Sequence, residues 1–338
     1  MSVQGLSNQT NTVNKKVELE QCSGFDIEFA NDVKKGLAQE QKTLSSKYFY
    51  NDKGSYLFDQ ITQQPEYYLT RAESQIIEQY GAVFFESLGT TPFNLFELGC
   101  GNGAKTFSLL SRIMAFGQHF SFYPMDISQV AIDGLVNQLH QAFPMLKVNG
   151  IQGDYHKLLS ELSTLGKQQR NVVLFLGSNI GNYSNQEADQ LLTRLHSGLN
   201  SGDLLLIGLD LKKDIQRMTD AYNDKKGITE AFNLNLLHRM NQELGANFDV
   251  KSFSHYETYN PLDAAMQSFL VSTKKQDVYF SKLNYTAAFD AYETLFVESS
   301  HKYSIKDIDS LASRNGFTVR ENYVDDQNDF VDSLWQRV

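Results

Sequence analysis

The chain has 338 residues, of which 41% are hydrophobic and 21% charged, a composition typical of a globular protein. Its 30 Lys and Arg against 40 Asp and Glu give a net charge of −10, which argues against a general nucleic-acid binder because such binding relies on basic side chains. Two cysteines cannot form a disulfide framework, and no apolar stretch of about 18 residues predicts a membrane-spanning helix. We therefore expect a cytoplasmic protein, a monomer, that binds neither a membrane nor nucleic acid.

The N-terminal part combines a polar tail with an aromatic block. Residues 1–24 are rich in Ser, Asn, Gln and Thr and lack the apolar centre of a signal peptide, so we predict a disordered tail. After one or two helices over 25–45, residues 47–71 contain seven Tyr and Phe side chains. This block indicates either the wall of a pocket or the packing of a two-helix cap. Thr70 and Glu73 fit a capping box at the start of a helix over 70–87.

Strands and helices alternate between residues 93 and 211. Five segments are predicted to contain strands, each with its following loop: FNLFELGCGNG, HFSFYPMDIS, KVNGIQGDYH, NVVLFLGSNIGN and DLLLIGLDL. Helical segments separate them, including KTFSLLSRIMAF, SQVAIDGLVNQLHQAF and EADQLLTRLHSGL. Such alternation predicts an α/β fold with a parallel sheet that is covered on both faces.

The alternation ends after residue 211. We predict a helix over 221–244, a loop over 248–260, strands within 263–280 and 289–304 with a connection near 281–289, a helix over 304–317 and one or two closing strands. The predicted α/β domain therefore comprises residues 73–211 and 303–338. Residues 25–72 and 212–302 are predicted to form a second, smaller domain.

A glycine-rich turn follows the first strand of the α/β region. Glu97 precedes Gly99, Cys100, Gly101 and Gly103, which gives a G-x-G-x-G spacing rather than the G-x-G-x-x-G of dinucleotide-binding folds. Glycines let the backbone approach a ligand closely. A turn of this kind can also be purely structural, so its meaning depends on the strand ends that come after it.

Two further strand ends carry matching side chains. Asp126 ends the second strand, where a carboxylate can accept both hydroxyls of a ribose. Asp154 and Tyr155 follow the third strand and offer a carboxylate for an adenine amino group and a ring for stacking. Three such features in order predict an S-adenosylmethionine site, with Glu97 under the sulfonium and Lys105 among the cofactor-binding residues.

The fourth strand end has the sequence GSNIGN over residues 177–182. A side-chain amide in this loop could accept one hydrogen of an amine and leave the nitrogen lone pair directed at the sulfonium. The alternative is a Gly/Asn turn held by local hydrogen bonds. The seven histidines are scattered without ligand spacing, so we predict no metal site.

Several of these segments together resemble the histidine-specific, S-adenosylmethionine-dependent methyltransferase family: YFYNDKGSYLFDQITQQPEYYLTRAE, FELGCGNGAKT, FLGSNIGN, AYNDKKGITEAFNLNLLHRMNQELGANFD and ESSHKY. The resemblance covers roughly residues 25–335 in the right order. It implies a Rossmann-like class I methyltransferase domain with a second, smaller α+β substrate-binding domain and S-adenosyl-L-methionine as cofactor. It also implies an enzyme that trimethylates the small-molecule substrate L-histidine to hercynine, a step of ergothioneine biosynthesis.

The resemblance also assigns site residues. It implies that Asn182 and Tyr222 hold the α-carboxylate and α-amine, and that Glu298 and Ser300 bond the imidazole nitrogens. The backbone of Gly177 would lie close to the histidine. The residues implied to line the pocket or its rim are Tyr50, Phe58, Tyr67 and Met266. Of all these residues, Tyr50 and Asn182 are the catalytic candidates.

One departure and three alternatives accompany this assignment. The family often has Ile-Glu-Met in a short strand, where this chain has Ala-Ala-Met ending at Met266. Fungal relatives methylate a tryptophan-derived substrate, and the pair of Glu298 and Ser300 is what favours histidine here. The chain could also be a catalytically silent S-adenosylmethionine-binding protein. Glu298 could instead form a surface ion pair with Lys302 if that stretch is helical.

Overall fold

A computed structural model describes residues 26–338 apart from residues 87, 89, 90, 116, 118, 154–158, 160, 163 and 166–168. The predicted tail and the predicted adenine-binding residues Asp154 and Tyr155 lie outside the described residues. The described chain divides into two compact units. The smaller comprises residues 26–57, 227–257 and 268–298, and the larger comprises residues 58–226, 258–267 and 299–338.

Helices and strands are numbered in chain order among the described residues. The α-helices are α1 (Ile27–Leu37), α2 (Asp52–Thr62), α3 (Leu69–Glu86), α4 (Ala104–Ala115), α5 (Gln129–Ala142), α6 (Asn185–Gly198), α7 (Ile215–Tyr222), α8 (Ile228–Leu244) and α9 (Ile305–Arg314). The strands are β1 (Lys42–Thr43), β2 (Phe93–Leu98), β3 (Phe120–Asp126), β4 (Lys147–Val148), β5 (Ile151–Gln152), β6 (Arg170–Phe175), β7 (Leu204–Asp210), β8 (Phe253–Asn260), β9 (Ala265–Ser272), β10 (Gln276–Phe280), β11 (Tyr285–Phe289), β12 (Thr294–His301), β13 (Phe317–Val324) and β14 (Phe330–Arg337).

The larger unit is built on an eight-stranded sheet in the order β13-β14-β7-β6-β2-β3-β4, with β5 also paired to β3. Strands β2 to β7 are parallel, whereas β14 runs antiparallel to β7 and β13 antiparallel to β14. Leu95 of β2 lies opposite Phe122 of β3 and Val172 of β6. The α/β fold with a parallel sheet is therefore confirmed, with an antiparallel edge formed by the closing strands.

Both faces of this sheet are covered, which explains the continuous apolar runs in the sequence. All six residues of β2 are buried, and successive residues point to opposite faces. Phe96 packs in one core cluster with residues of α6 and α9, while Leu95 packs in another with residues of α3, α4 and α5. Because the strands are parallel, the carboxyl ends of β2, β3, β6 and β7 share one edge of the sheet.

The smaller unit contains α1, β1, the hairpin β10-β11, α8 and parts of β8, β9 and β12. The predicted loop over 248–260 is wrong in its second half, which forms β8. Its buried Glu257 accepts a hydrogen bond of 2.5 Å from the Ser268 hydroxyl of β9, so a charged side chain interrupts the apolar pattern expected of a strand. The predicted connection near 281–289 is also too long, because residues 285–289 form β11.

Two other features differ from the sequence-based expectations. Residues 58–72, 212–226, 258–267 and 299–302 lie in the larger compact unit, whereas the predicted substrate-binding domain includes them. The predicted domain is defined by the substrate that it binds, whereas the compact units are defined by contacts within the chain. The domain assignment therefore stays a prediction. The predicted helix over 221–244 is interrupted, because α7 ends at Tyr222 and Gly227, with φ +70°, precedes α8. Among the helices of the described residues, none combines the length and apolar character that crossing a bilayer requires.

Candidate active site

The glycine-rich turn joins β2 to α4 and needs its glycines for two different reasons. Gly99, Gly101 and Gly103 have φ values of +75°, +53° and +72°, a region that side chains other than Gly rarely adopt. A Cβ on Gly103 would lie 2.4 Å from a methyl carbon of Leu135, so this glycine lets α5 pack closely. A Cβ on Gly101 would meet nothing within 4 Å, so the backbone at Gly101 is open to a ligand.

Asp126 ends β3 beside this turn. One carboxylate oxygen accepts a hydrogen bond of 2.9 Å from the backbone N–H of Gly101, and the other accepts one of 2.9 Å from Ser128. Each carboxylate oxygen can accept more than one hydrogen bond, so these contacts leave acceptor positions for ribose hydroxyls. The structure brings Asp126 and the glycine turn together, and the ribose contact stays a prediction.

Glu97 is the buried member of the same strand-end group. Both of its carboxylate oxygens lie 2.7 Å from the hydroxyl of Thr106 in α4. Burial raises the pKa of Glu97 to about 7, well above its usual range, because a charged carboxylate loses its hydration there. Burial likewise raises the pKa of the neighbouring Cys100 thiol. The predicted position of Glu97 under a sulfonium stays a prediction.

Lys105 connects the glycine turn to the loop that follows β6. Its ammonium forms an ion pair with Glu73, whose other oxygen accepts a 2.6 Å hydrogen bond from the backbone N–H of Gly177. The predicted capping box is wrong, because α3 begins at Leu69 and the Glu73 carboxylate is fully buried in these contacts. A Cβ on Gly177 would lie 3.3 Å from the Lys105 ammonium. Glu73 therefore links Lys105 to the loop after β6, whereas the sequence analysis assigned it to a helix cap.

The loop over residues 177–182 is held by distant parts of the larger unit. The hydroxyl of Ser178, which has φ +57°, accepts a 3.0 Å hydrogen bond from the backbone N–H of Asp210. The Nδ1 atom of His301 lies 2.9 Å from the carbonyl oxygen of Gly181, within hydrogen-bond distance. These long-range contacts fix the short helical turn that ends at Asn182, so the loop is more than a locally bonded Gly/Asn turn.

Four predicted substrate-binding residues form a continuous chain of contacts in the larger unit. The ring centroids of Phe58 and Tyr67 are 6.1 Å apart, and those of Tyr67 and Tyr222 are 6.5 Å apart. The hydroxyl oxygens of Tyr222 and Ser300 lie 2.7 Å apart. Met266 is buried at the start of β9. The sequence prediction therefore selected residues that the fold brings together from four separate segments.

The two remaining candidates belong to the smaller unit. The ring of Tyr50 lies 5.8 Å from that of Phe232, and Glu298 is half-buried in β12. Their proposed contacts with substrate stay predictions. The alternative ion pair of Glu298 with Lys302 is wrong, because this stretch is a strand and the Lys302 ammonium lies 2.7 Å from Asp210.

The sequence analysis missed a buried polar cluster at the end of β7. Asp210 is fully buried, accepts a hydrogen bond from the Tyr68 hydroxyl and forms ion pairs with Lys213 and Lys302. Burial lowers the pKa of Lys213, and burial together with the Asp210 charge raises that of Tyr68. A signal was present, since Asp210 ends its strand as Asp126 ends β3.

The residues on this edge suit a nucleoside cofactor that carries a positive charge. The open backbone at Gly101 admits close approach of a ligand, and the carboxylate of Asp126 can accept from vicinal hydroxyls. The buried carboxyl of Glu97 can take up negative charge beside a cation, because its pKa of about 7 is close to neutrality. The chemistry of these three residues therefore fits S-adenosylmethionine.

Comparison with known proteins identifies the family. The family described as histidine-specific methyltransferase, SAM-dependent, matches residues 29–337. A histidine N-alpha-methyltransferase from Mycobacterium tuberculosis is 35% identical over 90% of this chain and 93% of its own length. Ergothioneine biosynthesis protein 1 from Schizosaccharomyces pombe is 29% identical over 90% of this chain, which spans 40% of that protein.

An L-tryptophan methyltransferase from Psilocybe serbica is 24% identical, over 85% of this chain and 86% of its own length. The match over residues 29–337 confirms the resemblance, the Rossmann-like methyltransferase fold and the S-adenosylmethionine cofactor that were expected from the sequence. The chain belongs to the histidine-specific, S-adenosylmethionine-dependent methyltransferase family.

Proposed function

We propose that the protein methylates the α-amine of L-histidine and repeats the transfer until the nitrogen is trimethylated, which gives hercynine. The names of the relatives from Mycobacterium tuberculosis and Schizosaccharomyces pombe support this substrate and its place in ergothioneine biosynthesis. The observation that carries the proposal is the hydroxyl pair of Tyr222 and Ser300 beside the ring of Tyr67. It provides polar contacts next to aromatic surface, as an amino acid with a polar ring requires.

S-adenosylmethionine supplies a methyl group that is already activated by its attachment to a positively charged sulfur. The residues proposed to hold this cofactor are Glu97, Gly99, Cys100, Gly101, Gly103, Lys105 and Asp126. Because the leaving group is activated, the protein needs no strong acid. Its main contribution is to hold the amine nitrogen in line with the methyl carbon and sulfur, which is catalysis by proximity and orientation.

The amine must be neutral to react, because an ammonium has no lone pair. Its proton goes to water, either directly or through the hydroxyl of Tyr50, which accepts it as it passes its own proton on. We propose that in the first two transfers, while the neutral amine still carries hydrogen, the amide oxygen of Asn182 accepts one amine hydrogen and so directs the lone pair toward the methyl group. The contacts that Ser178 and Gly181 make with β7 and β12 keep this loop in place.

Trimethylation requires a site that accepts progressively larger and finally cationic amines. The rings of Phe58, Tyr67 and Tyr222 form a continuous aromatic surface, and aromatic faces attract cations through their quadrupole. An aromatic lining therefore suits both the second and third transfers.

The rival substrate is tryptophan or a compound derived from it. The relative from Psilocybe serbica, which is named an L-tryptophan methyltransferase, is the reason to consider it. An indole has one polar atom and favours an apolar pocket, whereas an imidazole has two ring nitrogens that need partners. Ser300, together with the predicted contact of Glu298, favours the imidazole. A buried hydroxyl hydrogen left without an acceptor would penalise the indole.

Calorimetric titration in the presence of S-adenosylhomocysteine tests the proposal. We expect histidine to bind at least about tenfold more tightly than tryptophan, since each unpaired buried polar group costs roughly 1–3 kcal/mol. Tighter binding of tryptophan would assign the protein to the indole substrates. Binding of S-adenosylhomocysteine without binding of any amino acid would instead indicate a catalytically silent protein.

A further inference from the structure

Lys302 is a fully buried cation that the proposed chemistry leaves without a role. It follows β12 directly, and its ammonium nitrogen lies 2.7 Å from Asp210, 2.8 Å from the hydroxyl of Tyr222 and 2.9 Å from that of Ser300. Burying a charge is unfavourable unless its hydrogen bonds are satisfied. The three contacts satisfy it, and two of them are with residues proposed to bind substrate.

The chemistry of an ammonium group determines the direction of these hydrogen bonds. Lys302 can only donate, so the oxygen atoms of Tyr222 and Ser300 both act as acceptors toward it. The two hydroxyls are also 2.7 Å apart, so one of them donates to the other. The hydroxyl that receives this bond accepts twice, and it keeps its own hydrogen to donate to an acceptor outside the three residues. Whichever way the pair is oriented, it presents a donor.

We propose that Lys302 is a positioning residue for substrate recognition, which holds Tyr222 and Ser300 together and, by occupying their acceptor positions, directs the pair to donate rather than accept a hydrogen bond. The proposal rests on the proposed function, in which these two hydroxyls contact the amino acid. A donor suits the acceptors that histidine offers, namely its carboxylate oxygens and the unprotonated nitrogen of a neutral imidazole.

Lys213 provides a matched comparison. Its ammonium pairs with the other carboxylate oxygen of Asp210 and donates a 2.8 Å hydrogen bond to Tyr68, over whose ring it lies at 4.1 Å. The two lysines therefore neutralise the same carboxylate but serve different tyrosines. Loss of Lys213 removes a largely buried ammonium from Asp210 without removing a contact to Tyr222 or Ser300.

The test compares Lys302→Met and Lys213→Met with the wild type by calorimetry. Dissociation constants are measured for S-adenosylhomocysteine alone and for histidine with S-adenosylhomocysteine saturating. For Lys302→Met we expect histidine to bind about tenfold or more weakly, because two charge-assisted hydrogen bonds that orient its partners are lost. The affinity for S-adenosylhomocysteine should stay within twofold, which also shows that the variant is folded. For Lys213→Met both constants should stay within about threefold.

An unchanged histidine affinity in Lys302→Met, or an equal loss in Lys213→Met, would overturn the proposal. Wild-type protein that binds S-adenosylhomocysteine but not histidine would overturn the proposed function itself, so the two failures are distinguishable. If Lys302→Met does not fold, Lys302→Gln is compared in wild-type and in Tyr222→Phe/Ser300→Ala backgrounds. It should weaken histidine binding in the first and change it less than twofold in the second, and equal effects in both would contradict action through these hydroxyls.

Discussion

Two buried carboxylates lie at the carboxyl ends of parallel strands in the same sheet, and their surroundings differ. Glu97, near the end of β2, receives a hydrogen bond from the neutral hydroxyl of Thr106, which lies equally close to both carboxylate oxygens. Asp210, at the end of β7, receives its contacts from two ammonium groups and a tyrosine hydroxyl. The first belongs to the proposed cofactor side and the second lies under the proposed substrate side.

The difference shows that a buried acid can be surrounded either by cations or by neutral groups. Burial without a dominant cation raises the pKa of Glu97 to about 7, so its charge can change near neutral pH or when a cation binds. Asp210 is balanced by Lys213 and Lys302, and its role is to hold neighbouring side chains in place. Neutralising the two carboxylates should therefore have opposite effects on stability.

Asp210→Asn should produce the largest loss. The variant leaves two buried ammonium groups without their shared counter-charge, and breaking a buried ion pair costs about 3–5 kcal/mol. Urea denaturation at neutral pH measures the change in the free energy of unfolding. A loss below about 1 kcal/mol would show that the cluster does not depend on the carboxylate charge.

Glu97→Gln should have the opposite sign. Because the folded-state pKa of Glu97 is raised from 4.5 to about 7, the native state binds this proton more tightly than the unfolded chain does. The resulting contribution to stability is fully present at low pH and is lost as the pH rises through about 7. A glutamine side chain does not titrate, so the variant does not lose stability in this way as the pH rises. Relative to wild type its free energy of unfolding should rise by about 2–3 kcal/mol between pH 5 and pH 8.

The same urea series at several pH values checks this expectation. A difference between variant and wild type that stays constant with pH would mean that Glu97 does not titrate in this range. The contrast between the two strand ends would then disappear.

Asp126→Ala should affect binding on the cofactor side and leave binding on the substrate side nearly unchanged. It removes the acceptor for the backbone N–H groups of Gly101 and Ser128 and the proposed acceptor for the ribose. We expect S-adenosylhomocysteine to bind at least about tenfold more weakly, since a hydrogen bond to a charged group contributes about 1.5–3 kcal/mol. The control is histidine binding at saturating S-adenosylhomocysteine, which should be nearly unchanged. An unaltered dissociation constant for S-adenosylhomocysteine would remove Asp126 from the cofactor site.

Ser300→Ala should have the converse and somewhat smaller effect. Loss of its hydroxyl should weaken histidine binding about tenfold, the scale of one well-placed hydrogen bond in a buried site, and spare S-adenosylhomocysteine. Ser299→Ala is the matched control, because neighbouring side chains of a strand point to opposite faces. Equal effects of the two alanine variants on histidine affinity would argue against a specific contact of Ser300.

The two sides also differ in how far the sequence predicts them. The cofactor side is built from short separations along the chain: Thr106 is nine residues from Glu97, and Gly101 is 25 residues from Asp126. Glycine spacing and strand ends are local patterns, so the sheet and this side follow from the sequence. The resemblance adds the substrate residues, because it carries a three-dimensional arrangement that no local pattern contains.

The strand end marks Asp210 itself, but the partners of this buried carboxylate could not be found in that way. Its hydrogen-bond partner Tyr68 is 142 residues away, and Lys302 reaches Tyr222 across 80 residues. A lysine in a polar stretch is ordinarily a surface residue, but Lys302 is buried where the chain after β12 pairs with the residue that follows β7. The reason that β8 was not predicted is different: buried Glu257 interrupts its apolar pattern, although its partner Ser268 is only 11 residues away on β9.

Mass spectrometry of a reaction containing the protein, histidine and S-adenosylmethionine tests the central claim most directly. Successive transfers to one nitrogen should give products heavier than histidine by about 14, 28 and 42 mass units, with the last accumulating, since each transfer replaces a hydrogen by a methyl group. Tryptophan under the same conditions should give little product. Unchanged histidine together with methylated tryptophan would contradict histidine as the substrate of this enzyme.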